Sequence, residues 1–147
     1  MTTTPRLPLG ATRAKECRTP IRVMIVDDSA VIRGVIRRIL DADADVEIVA
    51  SLANGRQAID ELRRRGEIDV VVLDVEMPVM DGLAALSALL EIDPSLQVIM
   101  ASTLTQRNAE ISIRALELGA TDYVPKPTAQ RLSSSDEFAR DLLRKVK

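Results

Sequence analysis

Between Ile21 and Lys147 the chain repeats one pattern five times: a short apolar run, then an amphipathic helical segment. "IRVMIV" reads as a first strand. "SAVIRGVIRRILDA" follows as a helix that places Val31, Ile32, Val35, Ile36, Ile39 and Leu40 on one face. "VEIVAS" is the second strand. "GRQAIDELRRRG" is the second helix, with Ala58, Ile59 and Leu62 inward and Gly66 as its stop. "IDVVVLD" and "LAALSALLEI" form the third pair, "LQVIMAS" and "QRNAEISIRALELG" the fourth, and Gly119 closes that helix. "TDYVPK" and "SSDEFARDLLRKVK" form the last pair, and Ser134 and Glu137 in that helix have capping-box spacing. The strands are too uniformly apolar to have a wet face. Helices must therefore cover both sides of a parallel sheet, with right-handed crossovers.

This predicts a doubly wound (βα)5 α/β fold; the flavodoxin-like strand order 2-1-3-4-5 is borrowed from known folds of this class, in which ligands sit at the carboxyl ends of the strands. Residues 1–20, with three prolines, several threonines and no apolar period, read as a flexible leader. Residues 21–147 read as one domain. No signal-peptide core or membrane-spanning run is seen, so a cytoplasmic protein is expected. The single cysteine, Cys17, fits a reducing compartment.

Composition removes several chemistries. A net charge of −2 gives no basic surface for nucleic acid. Tyr123 and Phe138 are the only aromatic residues, which weakens base stacking or a ring-lined cofactor pocket. There is no histidine, which excludes a Ser-His-Asp triad, a Cys-His pair and most zinc sites within the chain.

The polar residues fall where the fold predicts a site. Strand one runs into Asp27 and Asp28, strand three into Asp74, strand four into Ser102 and Thr103, and strand five into Lys126. In a parallel sheet these ends share one edge. Two like charges 4 Å apart repel by about 4 kcal/mol at an effective dielectric near 20, so three carboxylates call for cations. Lys126 supplies one. An all-oxygen ligand set favours Mg²⁺, with Mn²⁺ as a substitute, for the rest. Metal, lysine, hydroxyl and a free carboxylate together suit phosphoryl transfer to that carboxylate. Taken singly, each residue has an ordinary use. Asp28 could cap a helix, Asp74 could serve a turn, Ser102 could be a satisfied loop hydroxyl and Lys126 a surface charge. Their coincidence at four strand ends is what those uses leave unexplained.

"VMIVDDS", "VVLDVEMPVMDG", "VIMAST" and "DYVPKP" resemble the receiver domain of two-component response regulators, over roughly Ile21 to Lys147. "ASTLTQRNAE", "RALELGATDYVPKP" and "SSSDEFARDLL" resemble more narrowly the regulatory half of the chemotaxis protein-glutamate methylesterase family (CheB). The resemblance implies that Asp74 accepts a phosphoryl group from a phosphohistidine of a CheA-like kinase. It implies that Asp28 and Asp74 bind Mg²⁺ directly, Asp27 through water, and the backbone carbonyl of Glu76 completes the protein's share. Ser102 would bond a phosphoryl oxygen, Lys126 would pair with another, and Tyr123 would be a switch aromatic. The Lys126–Pro127 bond would be cis. The output implied is an attached or separate methylesterase, whose catalytic half is absent from this chain. By itself the chain would catalyse only its own phosphorylation and dephosphorylation. Two departures stand out: serine at 102 where many receivers have threonine, and the acidic Glu76 beside the site. The alternatives are a stand-alone receiver acting by protein–protein binding, a haloacid-dehalogenase-type phosphohydrolase, and a flavodoxin-like carrier. Against these last two, "VDDSA" lacks the phosphohydrolase motif and no Ser/Thr/Gly-rich phosphate loop follows strand one.

Overall fold

The computed structural model describes residues 20–77, 80–103, 106–126 and 136–147. All but the last residue of the expected leader lies outside them, as do Pro127 with its expected cis bond and Ser134 of the expected capping box. The elements alternate: β1 (Ile21–Val26), α1 (Ala30–Asp41), β2 (Val46–Leu52), α2 (Gly55–Arg65), β3 (Val70–Asp74), α3 (Gly82–Ile92), β4 (Gln97–Ser102), α4 (Gln106–Leu118), β5 (Asp122–Pro125) and α5 (Asp136–Val146). The five strands are parallel, as the strand–helix alternation requires, and lie in the expected order β2-β1-β3-β4-β5.

Successive side chains on a strand point to opposite faces, and here both faces are covered. Met24, Val26, Val71, Leu73, Val98 and Met100 pack on one side with Ala58, Ile59 and Leu62 of α2, Ala85, Leu86 and Leu89 of α3, and Ala115 of α4. Val23, Ile25, Val70, Val72, Ile99, Ala101 and Val124 pack on the other with Val35, Ile36 and Leu40 of α1 and Phe138, Leu142 and Val146 of α5. Each fully buried aliphatic side chain contributes roughly 1.5–3 kcal/mol. This two-sided burial is why the central strands read as continuous apolar runs. Edge strand β2 is only partly buried, and its pairing with β1 slips between Val23 and Met24.

Helix ends follow local chemistry. Ser29 caps α1, its side chain accepting from the Ile32 amide at 3.3 Å. Asn54 caps α2 and Asp81 caps α3 in the same way. Gly66 closes α2 at φ 70°, in the left-handed region that favours glycine. The capping use considered for Asp28 thus belongs to its neighbour Ser29. Val31 was expected on the inward face of α1 but is 61% exposed. It sits in the first turn of the helix, at the carboxyl edge of the sheet, where there is little sheet left to cover it. No helix among the described residues is long and apolar enough to cross a membrane.

The start of α3 lies close against the end of β3. The Gly82 amide donates to the Val75 carbonyl at 2.9 Å. A Cβ on Gly82 would lie 2.5 Å from the Asp74 carbonyl oxygen and 2.8 Å from Val75 Cα. Gly34, exposed on α1, has nothing within 4 Å of its missing Cβ. Gly82→Ala is therefore expected to destabilise by about 2 kcal/mol or more. Gly34→Ala should stabilise by about 0.5–1 kcal/mol, through helix propensity and the unfolded chain. Urea unfolding of both variants beside the parent checks this pair of opposite signs.

Candidate functional site

Backbone bonds, more than side chains, set where the polar residues stand. The Asp27 amide extends the ladder by donating to the Leu52 carbonyl at 3.0 Å. β3 ends in Asp74 itself, and the next amide, Val75, donates to the Ala101 carbonyl at 3.1 Å. The Lys126 amide donates to the Ser102 carbonyl at 2.7 Å. Residues 27, 74, 102 and 126 are thereby fixed at the carboxyl edge of four adjoining strands.

Lys126 joins them. Its Nζ lies 2.7 Å from Asp27 Oδ2 and 2.7 Å from Asp74 Oδ1. Asp27 and Asp74 are buried, at 1% and 4% exposure, where an unpaired carboxylate would be expensive. Asp27 Oδ1 also accepts from the Ser29 amide at 2.9 Å, and Arg33 donates to the Asp27 backbone carbonyl at 2.6 Å. The Glu76 amide donates to Asp74 Oδ1 at 3.3 Å. Asp28 is exposed, yet one oxygen from each of Asp27, Asp28 and Asp74 falls within 4.8 Å of the others.

Burial pushes the Asp74 carboxyl up to about 7, and the charge of Asp27 and the carboxyl of Asp28 push the same way against the opposing pull of Lys126. For Lys126, burial works against the charged form. The close contacts and charges of Asp27 and Asp74 outweigh it and hold its pKa above the usual lysine value.

A divalent cation fits this arrangement. Three ionised carboxylates and one ammonium leave two negative charges uncompensated. The fully buried Asp27 Oδ2 meets the Lys126 charge but receives no well-directed hydrogen bond. Every ligand on offer is oxygen, which suits a hard ion of the Mg²⁺ kind.

The remaining residues sit around this centre. Ser102 is buried, and its Oγ faces Ser112 Oγ of α4 at 3.4 Å. Tyr123 is 40% exposed on β5. Lys145 of α5 donates to its carbonyl at 2.6 Å and stands 5.6 Å from its ring centre. The Glu76 side chain is exposed and accepts from the Asn108 amide at 3.2 Å. Asn108, Ser112 and Arg33 were not singled out from the sequence. Asn108 and Ser112 carried a signal, being polar residues at i and i+4 on what becomes the inward face of α4. Arg33 carried none, because a helical arginine is ordinarily a solvated charge.

The chain matches the family model for the response regulator receiver domain over residues 23–134. It is 57% identical over 129 residues to a protein-glutamate methylesterase/protein-glutamine glutaminase of Rhodospirillum centenum, covering 87% of this chain and 32% of that protein. The chain thus spans about a third of the length of that relative. Among solved structures it is similar to the response regulator domain of Thermotoga maritima CheB, with a TM-score of 0.76 and 35% identity over 86% of this chain and 93% of that one. It is also similar to a chain in the complex of the CheA3 P1 domain with CheY6 from R. sphaeroides, with a TM-score of 0.69 and 34% identity over 86% and 94%. With the strand order, the acidic edge and these likenesses together, the chain belongs to the response regulator receiver domain family, in the form carried by CheB-type chemotaxis regulators.

Proposed function

We propose that Asp74 accepts a phosphoryl group from a phosphohistidine of a CheA-like histidine kinase, with Mg²⁺, and that the added charge regulates a protein-glutamate methylesterase output, attached or separate. One observation carries this reading. A half-buried lysine bridges two buried carboxylates, with a third carboxylate within 4.8 Å of both. The methylesterase relative and the CheA3 P1–CheY6 complex support the choice of output and of donor.

The roles follow from position. Asp27, Asp28, Asp74 and the backbone carbonyl of Glu76 would hold Mg²⁺. When bound, that ion supplies the charge neutralisation that three carboxylates and a phosphoryl group together require. Lys126 and the Glu76 amide both bind Asp74 Oδ1, which directs the new bond to Oδ2. That oxygen bonds to phosphorus as the donor's phosphorus–nitrogen bond breaks, and the electron pair of the broken bond stays on the imidazole. Lys126 then pairs with a phosphoryl oxygen. The Ser102 hydroxyl, 3.4 Å from Ser112 and so weakly held, turns to another. Tyr123, one strand over, turns inward into the space that Ser102 leaves. Phosphorylation puts a group of nearly two negative charges where the Asp74 carboxyl carried at most one, and biases an existing equilibrium between two arrangements of this edge.

Incubation with acetyl phosphate and Mg²⁺ is expected to add one phosphoryl group per chain. Asp74→Asn and chelation of the metal should each abolish it; labelling of Asp74→Asn at the parent rate would remove Asp74 as acceptor.

Linkage gives a second expectation, for the metal-free protein. A carboxyl whose folded pKa is raised favours the fold while neutral, so its contribution is present below about pH 4 and lost as pH rises to about 7. For Asp74 that loss is of order 4 kcal/mol. Asp74→Asn keeps the neutral shape and leaves Lys126 its Asp27 partner. The variant should match the parent near pH 4 and exceed its stability at pH 8. Chemical denaturation at the two pH values in chelator measures the difference; equal stabilities at pH 8 would contradict the strain assigned to Asp74.

A further inference from the structure

Asn108 is oddly placed for an ordinary helix residue. It lies in the first turn of α4, is 2% exposed, and asparagine is a poor helix former. A buried amide must find hydrogen-bond partners to offset the loss of water. Its Nδ2 donates to Thr103 Oγ1 at 2.8 Å and approaches the Thr103 carbonyl at 3.3 Å. Those contacts are local and tie the end of β4 to the start of α4. The third contact is of another kind: Nδ2 also reaches Glu76 Oε1 at 3.2 Å, across 32 residues of chain. That bond is charge-assisted. It pins the carboxylate that stands two residues beyond Asp74 and whose own amide already binds Asp74 Oδ1.

Glu76 is an exposed residue two positions beyond Asp74, between Val75 and Met77, whose side chains are buried. Its backbone is fixed, so only its side-chain torsions decide how close the charge comes to Asp74 and Asp28. We propose that Asn108 is a positioning residue that holds the Glu76 carboxylate on α4, and so keeps a fourth negative charge away from the phosphoacceptor. The inference rests on the reading of Asp74 as acceptor. It assigns the amide no contact with the reacting atoms; Asn108 acts through Glu76. With the bond removed, the Glu76 carboxylate loses one of its holds and gains rotamers nearer Asp74. A closer negative charge attracts Mg²⁺ and repels an anionic phosphoryl donor. Bringing a unit charge a few ångströms nearer at an effective dielectric near 20 changes each by roughly threefold to tenfold.

The test is a double-mutant cycle of Asn108→Ala, Glu76→Ala and the pair beside the parent. Two quantities are read: the Mg²⁺ dissociation constant by calorimetry without any phosphodonor, and the labelling rate with acetyl phosphate at saturating Mg²⁺. Asn108→Ala is expected to tighten Mg²⁺ and slow labelling, each by about threefold or more. In the Glu76→Ala background the same change should do neither. Equal effects of Asn108→Ala in both backgrounds would overturn the proposal, since Asn108 would then act through Thr103 or the seating of α4. No effect in either background would overturn it too. Should Asn108→Ala fold poorly, Asn108→Ser keeps a hydroxyl for Thr103 but is too short to hold Glu76, and it takes the place of Asn108→Ala in the cycle with the same expected and overturning outcomes. A parent that binds Mg²⁺ but never labels would defeat the phosphoacceptor reading alone, because the calorimetric cycle reports on the tether without it.

Discussion

The Lys126 ammonium between Asp27 and Asp74 is the contact on which the rest of this edge depends. Two carboxylates at 1% and 4% exposure cannot both stay ionised beside each other without a cation. The one the fold provides arrives from the far end of the sheet. β5 is the edge strand, separated from β3 by β4 and from β1 by β4 and β3, so the long lysine side chain crosses the strand ends to reach its partners. The bond to Asp74 closes 52 residues of chain. The site therefore exists only when β1, β3, β4 and β5 are in register, and its assembly is inseparable from folding the sheet. The fixed backbone bonds at Asp27, Val75 and Lys126 make the meeting point a property of the sheet.

The compensation is incomplete, and that is where function and stability part. One ammonium among three carboxylates leaves Asp74 pushed up to about 7 by burial and by its acidic neighbours. A residue chosen for stability alone would be neutral there. The fold instead keeps a carboxylate whose charge is disfavoured until a cation arrives, and local consistency is broken at the place where the chemistry is proposed to occur. Arg33 softens this slightly by donating to the Asp27 carbonyl, without adding a bond to either buried carboxylate.

Most of the architecture was legible because one rule generates it. Strand runs such as "VVVLD" must be covered on both faces, and each covering helix carries its own period. The two clusters of buried side chains divide the strand residues between the faces by simple alternation. The acidic edge was legible for the same reason, since strand ends in a parallel sheet share a side. Other details depended on geometry the sequence does not carry. Asp28 and Ser29 are both good caps, and only the direction of the chain leaving β1 decides that Ser29 bonds Ile32 while Asp28 faces the crevice. Val31 fits the apolar face of α1 by period but lies at its exposed end. The contact of Lys145 with Tyr123 joins α5 to β5, and neither residue type announces it.

The seating of α4 connects these details to the proposed switch. α3 anchors itself on the sheet with Ala85, Leu86 and Leu89, all fully buried. The corresponding face of α4 buries Asn108, Ser112 and Ala115, with Ile111 only partly covered. An amide and a hydroxyl in place of two leucines give up several kcal/mol of apolar burial at roughly 25 cal/mol per Å². In its place α4 is held by directional bonds, from Asn108 to Thr103 and Glu76 and between Ser112 and Ser102. A hydrophobic seat resists any displacement through lost area and opened cavity. A hydrogen-bonded seat changes when its partners change, and Glu76, Thr103 and Ser102 belong to the loop after Asp74 and to the end of β4. A charge placed on Asp74 would draw on those same two segments. The element able to register the event is therefore the one whose attachment to the core is polar, and the sequence records it as two polar residues, four apart, where an apolar face should be.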